Sequence, residues 1–181
     1  MTRYLLDTNV VMRFCNPNDV HHDLATNAIS CLLTQEDECY ITAQVLVEFW
    51  VVATRPVEVN GLGWTVEQTR STIDQLLDRF QLLEESAQIF PTWLSVVTTN
   101  KVMGKRTHDA RIIAVMLAHG ITHILTFNPS DFRLMPDIII VRPQELVPQG
   151  GSQKSKVKSQ KAYKMGFSGI LNGLFIYAVL Y

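Results

Sequence analysis

Short apolar runs alternate with longer amphipathic segments over most of the chain. The short runs suit buried parallel strands, and the longer segments have the spacing of helices that bury one face. Strands are predicted at about 3–7, 39–42, 80–83, 123–127 and 138–141. Helices are predicted at about 8–15, 23–34, 43–54, 66–79, 88–100 and 108–119. Because the two kinds of element alternate, we expect an α/β fold, a three-layer α/β/α sandwich around a central parallel sheet.

Turn and capping residues mark several of the predicted helix ends. Arg55-Pro56 ends the third helix, since proline disfavours helical backbone in the residue before it. Thr65 is the predicted N-cap of the fourth helix. Gly120 is the predicted C-cap of the last long helix.

The charge is distributed unevenly along the chain. Its 181 residues fit one domain with a full core, and the formal net charge is −1. Residues 151–181 hold five lysines and no acid, so residues 1–150 hold 11 basic and 17 acidic groups. A body this acidic does not suit nucleic-acid binding through a broad basic face. An acidic site neutralised by divalent cations would still accept a phosphate substrate.

The last part of the chain differs in composition from the rest. Gln149-Gly150-Gly151-Ser152 predicts a linker, and the lysine-rich stretch after it predicts disorder. Residues 165–181 carry no charge and are close to the shortest length, about 17 residues, that spans a bilayer. We predict one domain over 1–148 and a basic linker with an apolar tail over 149–181. The tail is interpreted as a membrane anchor or, as we favour, a poorly ordered extension or translated read-through.

The cysteines and the start of the chain indicate a cytoplasmic protein. Cys15, Cys31 and Cys39 are widely spaced, which argues against a disulfide framework or a zinc ribbon and fits a reducing compartment. Arg3 is followed at once by the first strand, so we expect no signal peptide there. A membrane-anchored protein with a cytoplasmic domain is the minor alternative.

An acidic residue directly follows the first predicted strand. Asp7 comes after Tyr4-Leu5-Leu6, at the carboxyl end of the strand, where open α/β sheets place their ligand sites. A charge in these apolar surroundings is costly to bury unless it is paired or metal-bound. The alternative is that Asp7 is an N-cap or turn residue.

Three later segments carry further acidic or amide side chains that the fold could bring to the same place. Glu48 lies in an apolar helical segment, Asp109 near the start of the last long helix, and Asn128 and Asp131 after the fourth strand. Each has a structural alternative. Glu48 would pair with Arg55 or another local cation, Asp109 would be stabilised by the helix dipole, and Asp131 would cap a turn.

Clustered carboxylates are the ligands that metal-assisted hydrolysis of a phosphodiester requires. The reaction needs a water nucleophile in line with the bond that breaks, and neutralisation of charge on the phosphorus. Divalent ions provide both, and Mg²⁺ selects oxygen ligands. Three or four Asp or Glu side chains without Cys or His would suit such an ion.

Taken together and in this order, the four segments resemble the PIN-domain family of metal-dependent ribonucleases. They are Tyr4–Val10, Val45–Trp50, Thr107–Arg111 and Ile124–Phe132. The likeness is to the VapC-like toxins of bacterial toxin–antitoxin pairs and covers roughly residues 3–145. It implies a Mg²⁺- or Mn²⁺-dependent endoribonuclease that leaves 5′-phosphate and 3′-hydroxyl ends. It also implies an antitoxin partner and a homodimer.

The resemblance assigns roles to individual residues of this chain. It makes Asp7, Glu48 and Asp109 the metal ligands, and Thr8 and Asn9 the residues that hold the loop behind Asp7. Basic residues near Asp109 are expected either to contact substrate phosphate or to be solvated charges. They are Lys105, Arg106 and Arg111.

The fourth position departs from the family pattern. Many relatives carry an acid where this chain has Asn128, and an amide can hold a metal-bound water but brings no charge. Asp131, three residues later, would take over through water. We include both residues in the predicted catalytic site and expect the second metal to be held less firmly than the first.

Other functions fit the sequence less well. A phosphatase with an aspartate nucleophile would need a second acid where Asn9 stands, and glycine-rich nucleotide-binding motifs are absent from the sequence. The remaining alternative is a catalytically weak PIN-fold module that binds RNA or protein, which Asn128 favours.

Overall fold

The computed structural model describes residues 1–133 and 137–147. Five parallel strands form one sheet in the order β3-β2-β1-β4-β5. The strands are β1 Arg3–Leu6, β2 Glu38–Thr42, β3 Gln81–Leu83, β4 His123–Leu125 and β5 Ile139–Val141. β1 therefore lies at the centre, with β2 and β4 as its neighbours. Helices flank this sheet, which confirms the predicted three-layer α/β/α fold.

Within the described residues, seven helices connect and cover the strands. They are α1 Thr8–Cys15, α2 His22–Thr34, α3 Ala43–Thr54, α4 Val66–Arg79, α5 Ile89–Thr99, α6 Arg106–Ala118 and α7 Pro143–Leu146. α1 packs on α2 and α3, whereas α5 packs on α6. Two 3-10 turns, Val57–Val59 and Pro129–Phe132, complete the described connections.

The hydrophobic core follows from the central position of β1. Leu5 and Leu6 on β1 are fully buried, as are Ile124 and Leu125 on β4. Residues 112–116 of α6 are also buried almost without a break. An unbroken apolar run of this kind is typical of elements that are covered on several sides. The carboxyl end of β1, where Asp7 follows, is consequently fixed by packing on both sides.

The predicted elements match the observed ones closely, with differences at their ends. α6 begins at Arg106, two residues before the predicted start, and Asp109 lies within its first turn. β4 ends at Leu125, and Thr126 already belongs to the connection that follows. α7 and both 3-10 turns were not predicted, because elements of three or four residues are too short to show a hydrophobic period.

Both predicted caps are present. Thr65 accepts a hydrogen bond from the Gln68 N–H, and the Gln68 side chain accepts one from the Thr65 N–H, which forms a capping box. Gly120 has φ +61° and lies just after α6, the left-handed conformation in which helices commonly end.

The tail prediction concerns residues outside the described ranges. Residues 148–181 are not described, so the linker and tail over 149–181 stay a prediction. Among the described residues, helices long and apolar enough to cross a membrane are absent.

Replacing Gly120 with alanine should destabilise the protein by about 1 kcal/mol, because alanine resists positive φ. An added Cβ would meet only the Arg3 guanidinium, at 3.5 Å, so the effect should come from the backbone alone. Urea unfolding measures the change. Gly120→Asn is the matched variant, since asparagine tolerates this conformation, and it should lose less stability. Equal losses in the two variants would contradict the backbone explanation.

Candidate active site

A cavity opens at the carboxyl ends of β1 and β4. Its volume is about 430 Å³. The predicted site residues that line it are Asp7, Thr8, Asn9, Glu48, Asp109, Asn128 and Asp131. Further lining residues are Met12, Arg13, Asn16, Asp19, Val52, Asn60 and Leu62. The fold thus brings together side chains from the four separate segments that the sequence singled out.

Asp7 is the most deeply buried acid of the cavity, with 6% of its surface exposed. It occupies the N-cap position of α1, yet its side chain makes no capping hydrogen bond. Instead, Asp7 Oδ2 accepts hydrogen bonds from Thr126 Oγ1, at 2.6 Å, and from Asn9 Nδ2. Asp7 is therefore the N-cap of α1 through its backbone, while its side chain bonds to the side chains of Thr126 and Asn9.

Thr126 and Asn9 connect the ends of β1 and β4 behind Asp7. Asn9 Nδ2 donates to Thr126 Oγ1 at 3.1 Å, and Asn9 Oδ1 accepts from the Phe127 N–H at 3.0 Å. Thr126 Oγ1 also accepts from the Asn128 N–H at 2.9 Å. Asp7 Oδ2 is therefore the carboxylate oxygen that these side chains occupy, and the bonds hold the connection after β4 against α1.

Glu48 projects from α3 and is held through both carboxylate oxygens. Thr8 Oγ1 donates to Glu48 Oε2 at 2.6 Å, and Gln44 Nε2 donates to Glu48 Oε1 at 2.8 Å. Thr8 thus contacts a second acid of the cavity, in addition to its expected place behind Asp7. The alternative pairing of Glu48 with Arg55 is absent among the described ion pairs.

Burial and like charge raise the pKa of two acids of the cavity. Burial raises the pKa of Asp7 to about 7. Hydrogen bonds from Thr126 and the Thr8 backbone lower this pKa, and the nearby charges of Glu48 and Asp109 raise it by smaller amounts. The pKa of Asp109 is raised to about 6, mainly by burial and then by the nearby charges of Asp131 and Glu48. The carboxylates are therefore close enough to repel one another.

The cavity is strongly acidic. Five carboxylates line it, and Arg13 is the only basic residue among the described lining residues. Arg13 Nη1 donates to the Asn9 carbonyl at 2.9 Å, its Nε lies 3.8 Å from Asp19 Oδ1, and its guanidinium lies 4.4 Å from the Phe127 ring centre. These contacts hold Arg13 in place beside the acidic cluster.

The three predicted phosphate-contacting cations do not line the cavity. The charge of Arg106 is close enough to lower the pKa of Asp109 against the effect of burial. Arg111 instead pairs with Glu85, at 2.8 Å, and donates to Gln44 Oε1 at 3.3 Å. Phosphate contact stays a prediction for Lys105 and Arg106, and the contacts of Arg111 favour a different role.

Several residues that line the cavity or bond to its acids were not predicted from the sequence. Thr126 follows β4 as Asp7 follows β1, so the strand-end rule that selected Asp7 also applies to it. Gln44 precedes Glu48 by four residues on one helix, which places both side chains on one face. Arg13 and Asp19 carried no such signal.

The donor set suits a hard divalent cation. Carboxylate, amide and hydroxyl oxygens line the cavity, and these are the ligands that Mg²⁺ and Mn²⁺ prefer. Within 1–133 and 137–147, groups of three or more His, Cys, Asp or Glu that form a ready metal-binding cluster are absent. Mg²⁺ usually keeps several water ligands in proteins, so an ion bound here would combine these oxygens with water.

A family model for the PIN domain matches residues 4–137 of the chain. The chain therefore belongs to the PIN domain family, which confirms the resemblance carried by the four segments. A search of curated proteins finds no significant match.

Solved structures share the fold. VapBC-1 from nontypeable Haemophilus influenzae is 18% identical to this chain, with a TM-score of 0.58. The alignment covers 79% of this chain and 99% of the VapBC-1 chain. FitAcB from Neisseria gonorrhoeae is 15% identical with a TM-score of 0.54, and covers 78% and 98%. FitAB bound to the IR36 DNA fragment is 19% identical with a TM-score of 0.51, and covers 82% and 99%.

Replacing Asp7 with asparagine should reduce the pH dependence of stability of the metal-free protein. The pKa of Asp7 in the folded protein, about 7, lies above the ordinary value of 3.8, so the native state of the wild type binds an extra proton between these pH values. The stability contributed by this proton is present at acidic pH and is lost as the pH rises through 7. The fall in unfolding free energy between pH 4 and pH 8 should therefore shrink by about 2–4 kcal/mol in Asp7→Asn.

Urea unfolding in the presence of EDTA at several pH values measures this change. Asp74→Asn is the matched control, because Asp74 is an exposed acid on α4 that pairs with Arg70 and does not line the cavity. It should keep the wild-type pH dependence. An equal reduction in both variants would contradict the assignment of the effect to Asp7.

Proposed function

We propose that this protein is a divalent-metal-dependent endoribonuclease and the toxin of a toxin–antitoxin pair. Membership of the PIN domain family supports the nuclease activity. The observation that carries the proposal is the burial of Asp7 in a cavity lined by five carboxylates. A polyanionic substrate would be repelled by this cavity unless a cation neutralised it.

The proposed metal ligands are Asp7, Glu48 and Asp109, with Mg²⁺ or Mn²⁺ as the ion. When bound, such an ion stabilises charge on a phosphoryl group and increases the acidity of a bound water. The chain's own contribution is to orient the ligands. Thr126 and Asn9 occupy one oxygen of Asp7, and Thr8 holds one oxygen of Glu48.

Asn128 and Asp131 lie on the cavity wall that follows β4. Asn128 is exposed, and its side chain makes no capping bond to the 3-10 turn that begins after it. Asp131 accepts a bond from Ser130 Oγ at 3.3 Å and is near enough to raise the pKa of Asp109. We assign both residues to the part of the cavity where the reacting phosphate and its water would lie.

RNA is the proposed substrate, with 5′-phosphate and 3′-hydroxyl products, as the sequence resemblance implies. An antitoxin is the proposed partner, and the protein is proposed to be a cytoplasmic homodimer. The structures of VapBC-1 and FitAB support this partner, since both share the fold and the resemblance is to VapC-like toxins.

A catalytically weak module that binds RNA or protein is the second candidate. Two observations favour it. Asn128 brings no charge to the fourth position, and the described acids do not form a ready cluster of three ligands. Metal binding separates the two candidates, because only the nuclease requires an ion at Asp7.

Asp7→Asn should abolish metal-dependent RNA cleavage without unfolding the protein. The change removes the buried charge and keeps the size of the side chain, so the cavity loses its central ligand. Cleavage of total RNA is measured with Mn²⁺, with Mg²⁺ and with EDTA, and circular dichroism checks the fold.

Asp74→Asn again serves as the control, and it should cleave RNA like the wild type. It loses only an exposed ion pair, which contributes little to stability. Wild-type cleavage and Mn²⁺ affinity in Asp7→Asn would show that Asp7 is not a ligand. A wild-type protein that binds RNA but neither Mn²⁺ nor Mg²⁺ would support the binding module instead.

Asn128→Asp should increase the affinity for a second metal ion, and with it the rate of turnover. The change restores the acid that many relatives carry, on an exposed position of the cavity wall where the added charge is cheap to solvate. Calorimetric titration with Mn²⁺ gives the stoichiometry and affinity of both proteins. Identical titrations would place Asn128 outside the metal site.

A further inference from the structure

Gln44 joins two of the acidic segments without lining the cavity itself. It is the second residue of α3, one turn before Glu48. Its Nε2 donates to Glu48 Oε1 at 2.8 Å and to the carbonyl of His108, in the first turn of α6, at 3.0 Å. A single side-chain amide thus bonds to one proposed ligand and to the residue preceding another, Asp109.

An ion pair sets the orientation of this amide. Arg111 Nη1 donates to Gln44 Oε1 at 3.3 Å, while Arg111 Nη2 donates to Glu85 Oε2 at 2.8 Å. A guanidinium only donates and a carbonyl oxygen only accepts, so Gln44 Oε1 must face Arg111. Its Nε2 consequently faces Glu48 and His108, and the reversed amide would place like atoms against each other on all three sides.

Glu48 depends on this bond for one of its two oxygens. Thr8, on α1, fixes Oε2 and Gln44 fixes Oε1, so the carboxylate is held at both ends. Without the Gln44 amide, Glu48 could turn about its last bonds while keeping the Thr8 contact. The carbonyl of His108 would lose its link to α3 at the same time.

We infer that Gln44 is a positioning residue that sets the Glu48 carboxylate and the Asp109 turn relative to each other for metal binding. Arg111 and Glu85 act behind it by fixing the direction of its amide. The inference rests on the proposed function, because it assumes that Glu48 and Asp109 bind the ion. It also replaces the phosphate-contacting role expected for Arg111. Hydrogen-bond partners that orient ligands in this way contribute strongly to metal affinity in other proteins.

The test compares Gln44→Leu with the wild type. Leucine keeps most of the volume and removes both polar ends of the amide. The Mn²⁺ dissociation constant should increase about 10-fold. Turnover of RNA (kcat) should fall with it, and KM for RNA should stay within about 2-fold because no substrate contact is removed. A role limited to packing would change the unfolding midpoint and leave Mn²⁺ affinity at the wild-type value.

Two further variants keep the result interpretable. Gln75→Leu is the matched control, since Gln75 is an exposed glutamine on α4, and it should bind Mn²⁺ like the wild type. Glu85→Gln removes the charge that holds Arg111 without changing the cavity lining. It should weaken Mn²⁺ binding in the same direction and by less. If Gln44→Leu does not fold, Glu85→Gln decides, and wild-type Mn²⁺ affinity in it would overturn the inference.

Failure of the inference and failure of the proposed function give different results. A wild-type protein that binds Mn²⁺, with a Gln44→Leu variant that binds it equally, overturns the role of Gln44 alone. A wild-type protein that neither binds Mn²⁺ nor cleaves RNA overturns the proposed function. In that case the metal-free stabilities of Gln44→Leu, Glu48→Gln and the double variant still test the contact. Additive changes would show that Gln44 does not position Glu48.

Discussion

The buried carboxylate of Asp7 imposes the constraint on which the rest of the site depends. An ionised acid inside a protein costs several kcal/mol unless hydrogen bonds or opposite charges compensate for it. Here the compensation comes from Thr126, Asn9 and the Thr8 backbone, and the pKa of Asp7 is nonetheless raised to about 7. The protein therefore keeps Asp7 in an unfavourable position by means of the fold around it. Acids whose pKa is shifted in this way are typical of functional sites.

The sheet provides the rigidity that this position requires. β1 is central and pairs in parallel with β2 and β4, so the chain after β1 and the chain after β4 emerge side by side. The hydrogen bonds of Asp7 and Asn9 join these two emerging segments, while Thr8 extends the same network to α3 through Glu48. The polar network thus lies on a packed apolar core, where Leu5, Leu6 and Leu125 are fully buried. The geometry of this polar network follows from the order of the strands.

The sequence predicted the fold and most of the acids that line the cavity because both have simple signals. Strand periodicity and the position of Asp7 after an apolar strand follow from burial, and the family resemblance added Glu48 and Asp109. The supporting residues could not be predicted as easily. Gln44 contacts Glu48, His108 and Arg111, and only the first is near it in sequence. Arg111 appeared as a free cation beside Asp109, since nothing in the sequence places Glu85 within 2.8 Å of its guanidinium.

Repulsion among the acids of the cavity gives a physical reason for the amide at position 128. Beyond the effect of burial, the charges of Glu48 and Asp109 raise the pKa of Asp7, and those of Asp131 and Glu48 raise the pKa of Asp109. A further carboxylate would add repulsion to the metal-free protein, and only a firmly bound second ion would offset it. Asparagine supplies an oxygen at the cavity wall without that repulsion. At this exposed residue the amide therefore costs the metal-free protein less electrostatic free energy than a carboxylate would.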